Sequence, residues 1–150
     1  VSSCLIIPDA GLKKKIVEDY ESKWMFGPCD LAFNAIEAAY TYGDTWMDEA
    51  AAYVASNAEI VKKFVADRMP KVQVTKHEGT FLMWLDMSCY GLSSSEITSI
   101  LAKEYGVALG DGSHYGKGSE GYMRFNIGAA KETLMQGLEQ LAKMYEKYAK

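Results

Sequence analysis

Pro70 separates two hydrophobic rhythms, and a fold must satisfy both. Up to Arg68 apolar residues recur at helical intervals, and beyond Pro70 they first alternate as strands do. In the first part Asp9 stands as an N-cap before a helix running to about Lys23. Leu12, Ile16, Val17 and Tyr20 share one face of it, while Lys13, Lys14 and Lys15 point outward. Trp24 to Pro28 is an aromatic turn. A second helix is expected from Pro28 to Tyr42, with a small-residue side of Ala35, Ala38 and Ala39. Gly43-Asp44 punctuates the chain, and Asp44 can cap a long helix carrying Trp46, Tyr53, Val61, Phe64 and Val65 to Arg68. Pro70 ends it, because proline lacks the N–H and clashes with the preceding turn.

In the second part Val72 and Val74 alternate with polar residues, Glu78-Gly79 turns, and Thr80 to Asp86 puts Phe81, Met83 and Leu85 on one face, forming a hairpin. Ser93 with Glu96 is a capping box for a helix through Tyr105, whose apolar side is Ile97, Ile100 and Leu101 and whose cap is Gly106. A short strand over Val107 to Leu109, a glycine-rich loop, a strand from Gly121 to Gly128 and a helix from about Lys131 to Tyr148 complete the order. The fold class expected is therefore α/β in the α+β sense, a small and mostly antiparallel sheet with helices on one side. A strand at Val1–Ile7, closed by Pro8-Asp9, and the two helices after it precede that layer. An apolar run so close to the first residue makes the chain look entered midway, a fragment of a longer gene product.

Composition excludes several classes of function. At 150 residues, 49% of them hydrophobic, the chain can bury a core in one or two units. A net charge of -4, with lysines scattered among acids, offers no basic stripe for nucleic acid. No apolar run approaches a bilayer span and no signal pattern opens the chain, so a cytoplasmic location is expected. Cys4, Cys29 and Cys89 are odd in number and far apart, which fits reduced thiols used in packing. His77 and His114 lack the helical spacing of a metal pair.

The candidate site lies on the strand Gly121–Gly128. Alternation places Met123, Phe125 and Ile127 on one face and Tyr122, Arg124 and Asn126 on the other. A half-buried guanidinium is permanently charged and asks for an anion. That anion is an acid of the same protein, or the charge reaches solvent, or a ligand supplies it. The loop upstream, Leu109 to Gly121, holds five glycines and leads straight into the arginine strand. It lacks the Lys-Ser/Thr ending of a phosphate loop and precedes a strand where a dinucleotide turn would precede a helix. It reads as a mobile rim or an ordinary hairpin loop.

Taken together, Ile6-Ile7-Pro8-Asp9, Ile36-Glu37-Ala38-Ala39-Tyr40, Glu78-Gly79-Thr80-Phe81-Leu82-Met83-Trp84-Leu85-Asp86, Tyr90-Gly91-Leu92-Ser93 and Glu120 to Gly128 resemble the C-terminal portion of a fold type I enzyme dependent on pyridoxal 5'-phosphate (PLP). The likeness covers nearly the whole chain and is nearest to the MalY/PatB carbon-sulfur β-lyases, the cystathionine β-lyase and cystalysin relatives. It implies that residues 1–43 end a large PLP-binding domain and residues 44–150 form the C-terminal small domain. It also implies a homodimer, with the aromatic turn near its seam. The residue matching Arg124 would grip the α-carboxylate of the amino-acid substrate, Tyr115 would lie near the substrate entrance, and Asn126 could orient the guanidinium, bind the carboxylate or simply satisfy backbone. Gly79 and Thr80 border the pocket or only make the turn. The intact enzyme would convert a thioether amino acid to a thiol, pyruvate and ammonia, and an aminotransferase of the same fold would use the same arginine.

The Schiff-base lysine of that family has no match in this chain, nor have the cofactor-stacking tyrosine, the acid that pairs with the ring nitrogen and most phosphate-binding groups. Lys13, Lys14 and Lys15 sit on a helix and would point away from such a site. The segment is thus expected to hold no catalytic or cofactor-binding residue, to need the rest of its large domain and to be inactive alone. A free-standing ligand-binding module and a purely structural interaction protein are the readings outside this family.

Overall fold

A computed structural model describes residues 4–24, 27 and 29–149. The chain divides into two compact units, Val1–Asp48 and Glu49–Lys150. In the first, α1 (Ala10–Ser22) begins where Asp9 Oδ1 accepts from the Leu12 amide at 2.6 Å, the N-cap that the sequence predicts. Next comes α2 (Asp30–Tyr42), starting after Cys29. Neither helix has a buried residue, and Leu31, Phe33, Tyr40 and Tyr42 stand more than half exposed. The expected strand at Val1–Ile7 falls partly outside the described residues, and residues 4–9 carry no strand. A strand is stabilised by the ladder it joins, and this segment pairs with none among the described residues. The aromatic turn Trp24 to Pro28 also lies largely outside them, though Trp24 itself closes a turn with φ 54°.

The second unit contains the sheet. From Asp44 to Arg68 runs α3, with Asp44 as its first helical residue and the Gly43 carbonyl accepting from Met47. Then follow β1 (Gln73–Val74), β2 (Leu82–Asp86), α4 (Ser94–Tyr105), β3 (Gly110–Asp111), β4 (Tyr122–Asn126) and α5 (Lys131–Tyr148). The strands stand in the order β1-β2-β4-β3, every neighbouring pair antiparallel. Met83, Leu85, Met123, Phe125 and Ile127 line the inner face and pack in one cluster with Val61 and Val65 of α3, Ile97 and Leu101 of α4, and Leu134, Leu138 and Leu141 of α5. Helices therefore cover one face of a small antiparallel sheet, as the alternating β and α patterns require. The outer face, with Leu82, Trp84, Asp86, Tyr122, Arg124 and Asn126, is half-buried to exposed.

Local departures from the expected pattern have local causes. Phe81 is 50% exposed although it alternates with Met83 and Leu85. Thr80 just before it adopts φ 64° and receives the Leu82 amide on its hydroxyl at 3.1 Å, so regular alternation begins only at Leu82. The strand expected at Val107–Leu109 forms instead at Gly110–Asp111. The Val107 amide is engaged by the Leu101 carbonyl at 3.0 Å, closing α4 with Gly106 in the left-handed region, and that keeps it out of the ladder. Cys4 and Cys29 are exposed and Cys89 half-buried, so the first two are not the packing residues their type suggests.

One buried polar side chain ties α3 to the end of the arginine strand. Asn57 is 0% exposed and its Nδ2 donates to the carbonyls of Ile127 at 2.8 Å and Ala129 at 3.0 Å. Those carbonyls lie where β4 has ended and no ladder can receive them. Asn57→Ala should destabilise the chain by about 2 kcal/mol, because buried acceptors are then left without donors. A fall in the urea midpoint with an unchanged slope would report it.

Candidate functional site

The antiparallel register centres the outer face on Arg124. On one side it pairs with Trp84 of β2 and on the other with Gly110 of β3. Among the described residues the Arg124 guanidinium joins no ion pair and donates no hydrogen bond to a protein acceptor; its carbon instead lies 4.9 Å from the centre of the Tyr115 ring. Of the three possible destinations for its charge, an internal acid is thereby removed. The positions that alternation places on this face are those the structure shows.

Tyr115 is 46% exposed and ends a short 3-10 turn, Gly112–Tyr115, that follows β3 directly. Its ring meets Trp84 edge to face, with centroids 5.3 Å apart at 87°. Asp111 fixes the start of the turn, its Oδ1 accepting from Ser113 N at 2.9 Å and Ser113 Oγ at 2.6 Å. The far end of the glycine loop is tied to α4, where Glu120 accepts from the Ser94 amide at 2.6 Å and the Ser94 hydroxyl accepts from the Gly121 amide at 2.8 Å. Both ends of the loop are thus held while Gly116 and Gly118, at φ 121° and 89°, turn in open space.

Hydrogen bonds from Ser113 hold the Asp111 carboxyl below its ordinary value of 3.8. A depressed folded pKa contributes stability that is complete above the unfolded value and is lost as pH falls through the folded one. Acidification through and below the ordinary aspartate range should therefore loosen this turn before the core opens. Faster amide exchange at Ser113 than at Met123 would record it, and equal rates across that range would refute it.

Asn126 is brought near but not to Arg124. Its side chain is exposed and its Oδ1 accepts from the Gly128 amide at 2.9 Å, the backbone-satisfying role that its type permits. At the opposite end of the same face the Asp86 charge, then a hydrogen bond to Asp86, raises the Tyr122 phenol. Sequence reasoning passed over Trp84 and Gly110 as site residues. The signal for Trp84 was present, since placing Met83 and Leu85 inward puts Trp84 outward, but only the register reveals that it faces Arg124.

Two concavities mark this unit. A crevice of about 470 Å³ lies between residues 105–109, the end of β4 and the first half of α5, with Asn126 at its margin. A smaller one of about 170 Å³ holds Trp84, Tyr122, Thr75, Gly118 and Ser119. Neither includes Arg124 or a lysine, and Lys13, Lys14 and Lys15 are exposed along α1. The described residues place Arg124 on the outer face of the sheet, outside both crevices. What they present is a cation with in-plane donors on a sheet face, suited to receive a carboxylate.

No protein-family model matches the chain. Cystathionine beta-lyase PatB of Bacillus subtilis (strain 168) is 37% identical over 140 residues, which are 93% of this chain and 36% of that protein. A PLP-bound enzyme of Clostridium difficile 630, described as an aminotransferase, superposes with a TM-score of 0.88 at 31% identity, again over 93% of this chain and 36% of the other. Cystalysin of Treponema denticola shares the fold with a TM-score of 0.89 at 22% identity, over 95% of this chain and 36% of its own. The chain spans only about a third of the length of the relatives it matches. No helix among the described residues is long and apolar enough to cross a membrane. In sequence and in fold, the chain is the counterpart of the C-terminal portion of the PLP-dependent carbon-sulfur lyases of the PatB/MalY group, within fold type I.

Proposed function

We propose that the chain is the C-terminal segment of a PLP-dependent carbon-sulfur β-lyase, acting on cystathionine-like thioether amino acids to give a thiol, pyruvate and ammonia. Arg124 receives the substrate α-carboxylate. The observation that carries this reading is a guanidinium with no acid partner among the described residues, on a strand whose sequence matches the family's motif. Residues 1–43 are then the end of the large domain and residues 44–150 the small domain. The apolar side chains exposed on α1 and α2 would be covered by the rest of that large domain, and the working enzyme would be a cytoplasmic homodimer. PLP, held by the part of the enzyme that precedes this segment, would supply the electron sink. The segment's own contribution is to orient the substrate, with Tyr115 beside the guanidinium and Asn126 at the edge of the face.

A second reading, an aminotransferase, is favoured by the 31% identity to the Clostridium difficile enzyme. One experiment separates them. The chain is joined behind the matching N-terminal part of PatB and the purified chimera is given L-cystathionine. Pyruvate released without any amino-group acceptor supports the lyase. Turnover only when a 2-oxo acid is present supports the aminotransferase, and a PLP-loaded chimera that does neither rejects both.

A further inference from the structure

An arginine on an open sheet face has four rotatable bonds and no reason to keep one direction, yet here its surroundings select one. Gly110, its partner on β3, makes room. A Cβ at that position would lie 3.2 Å from both the Cβ and the Nε of Arg124, closer than most such contacts tolerate. The arginine therefore runs across Gly110 to Tyr115, with its guanidinium carbon over the face of that ring. Tyr115 is itself braced edge to face by Trp84, and Trp84 in turn meets Tyr122 edge to face at 6.3 Å and 75°. Trp84 and Tyr122 stand on strands of fixed register, whereas Tyr115 belongs to a loop. The rigid part of the site therefore orients the loop residue, and the loop residue orients the cation.

We infer that Trp84 is a positioning residue for Arg124, acting through Tyr115, and that Gly110 provides the space this arrangement needs. The inference rests on the proposal that Arg124 receives a carboxylate, and it adds how the guanidinium is held ready for one. Contact with a ring face takes up no N–H donor in a hydrogen bond to protein, so the donors remain for a carboxylate, which binds a guanidinium with two parallel hydrogen bonds. The ring attracts the charge and the ligand takes the donors, so the two need not compete. An arginine already aligned loses less freedom on binding, so the aromatic relay should tighten carboxylate capture without touching the ligand.

The chain has only two arginines, Arg68 and Arg124, so the Nε–Hε region of its nitrogen-edited NMR spectrum holds two side-chain signals, and Arg68→Lys assigns them. Ring current from Tyr115 should place the side-chain protons of Arg124 upfield of their random-coil position. That displacement is expected to vanish in Tyr115→Leu and shrink in Trp84→Leu, and to persist in Tyr115→Phe and Trp84→Phe, which keep the rings. Unchanged Arg124 signals in a folded Trp84→Leu chain would overturn the role of Trp84. Should that variant lose its dispersed spectrum, Gly110→Ala decides, because it leaves all three rings in place. Loss of the upfield displacement there supports the arrangement, and its persistence overturns it. Sodium acetate is then titrated against sodium chloride of equal ionic strength. Acetate that moves the Arg124 signal in the wild type, and does so less in Trp84→Leu, completes the case. Upfield signals that follow the aromatic variants but ignore acetate would reject the carboxylate proposal and leave the positioning relay standing.

Discussion

Arg124→Ala in the full-length chimera should lower kcat/KM for L-cystathionine by roughly two to four powers of ten, about 3 to 5 kcal/mol of lost transition-state binding. The size follows from what the side chain faces. Among the described residues it has no protein anion, so a substrate carboxylate would receive its in-plane donors undivided, and its removal would leave that carboxylate desolvated without a partner. Cofactor content should stay constant if Arg124 serves the substrate alone. Arg124→Lys should recover only part of the loss, because an ammonium keeps the charge but not the planar pair of donors. Parallel measurement of PLP absorbance and of kcat/KM for both variants is the check. An unchanged specificity constant in Arg124→Ala would remove this residue from substrate binding altogether.

The parts of the fold that sequence made legible are those fixed by local chemistry. The last helix occupies Lys131–Tyr148 because its leucines repeat at helical spacing, a pattern strong enough to carry Gly137 within it. The Ser93–Glu96 capping box forms in full, and Gly106 takes the left-handed cap, because both signals depend on residues within one turn. On the arginine strand, alternation alone separates the buried Met123, Phe125 and Ile127 from the outer residues. Tertiary competition explains what was not legible. Val107 has strand-forming chemistry, yet its amide is taken by the end of α4. Asn57 looks like any polar residue of a long helix, and only the folded chain shows that it answers two carbonyls about seventy residues away. The candidate site divides in the same way. Arg124 could be singled out because a charge interrupts an apolar strand, whereas Trp84 and Gly110 gain their meaning from cross-strand register.

Gly112 joins stability to the site, and Gly112→Ala should cost about 3 kcal/mol or more, at or above the upper end for an overpacked position. The glycine is buried at the start of the turn that carries Tyr115. A Cβ there would collide with the carbonyl group of Tyr122 and stand 2.6 Å from the Ser119 carbonyl oxygen. These are backbone atoms of β4 and of the glycine loop, so no side chain can swing aside to relieve them. The turn must lift away from β4, and Tyr115 must move with it. The same substitution at Gly118 meets open space, but φ 89° there strains any side chain, so it should destabilise through backbone conformation alone. The two variants therefore differ in kind. Gly112→Ala should lower the urea midpoint and also abolish the upfield displacement of the Arg124 protons. Gly118→Ala should lower the midpoint less and leave those protons in place. Equal displacement of Arg124 in both would mean that the loop as a whole, rather than the close approach at Gly112, sets the position of Tyr115.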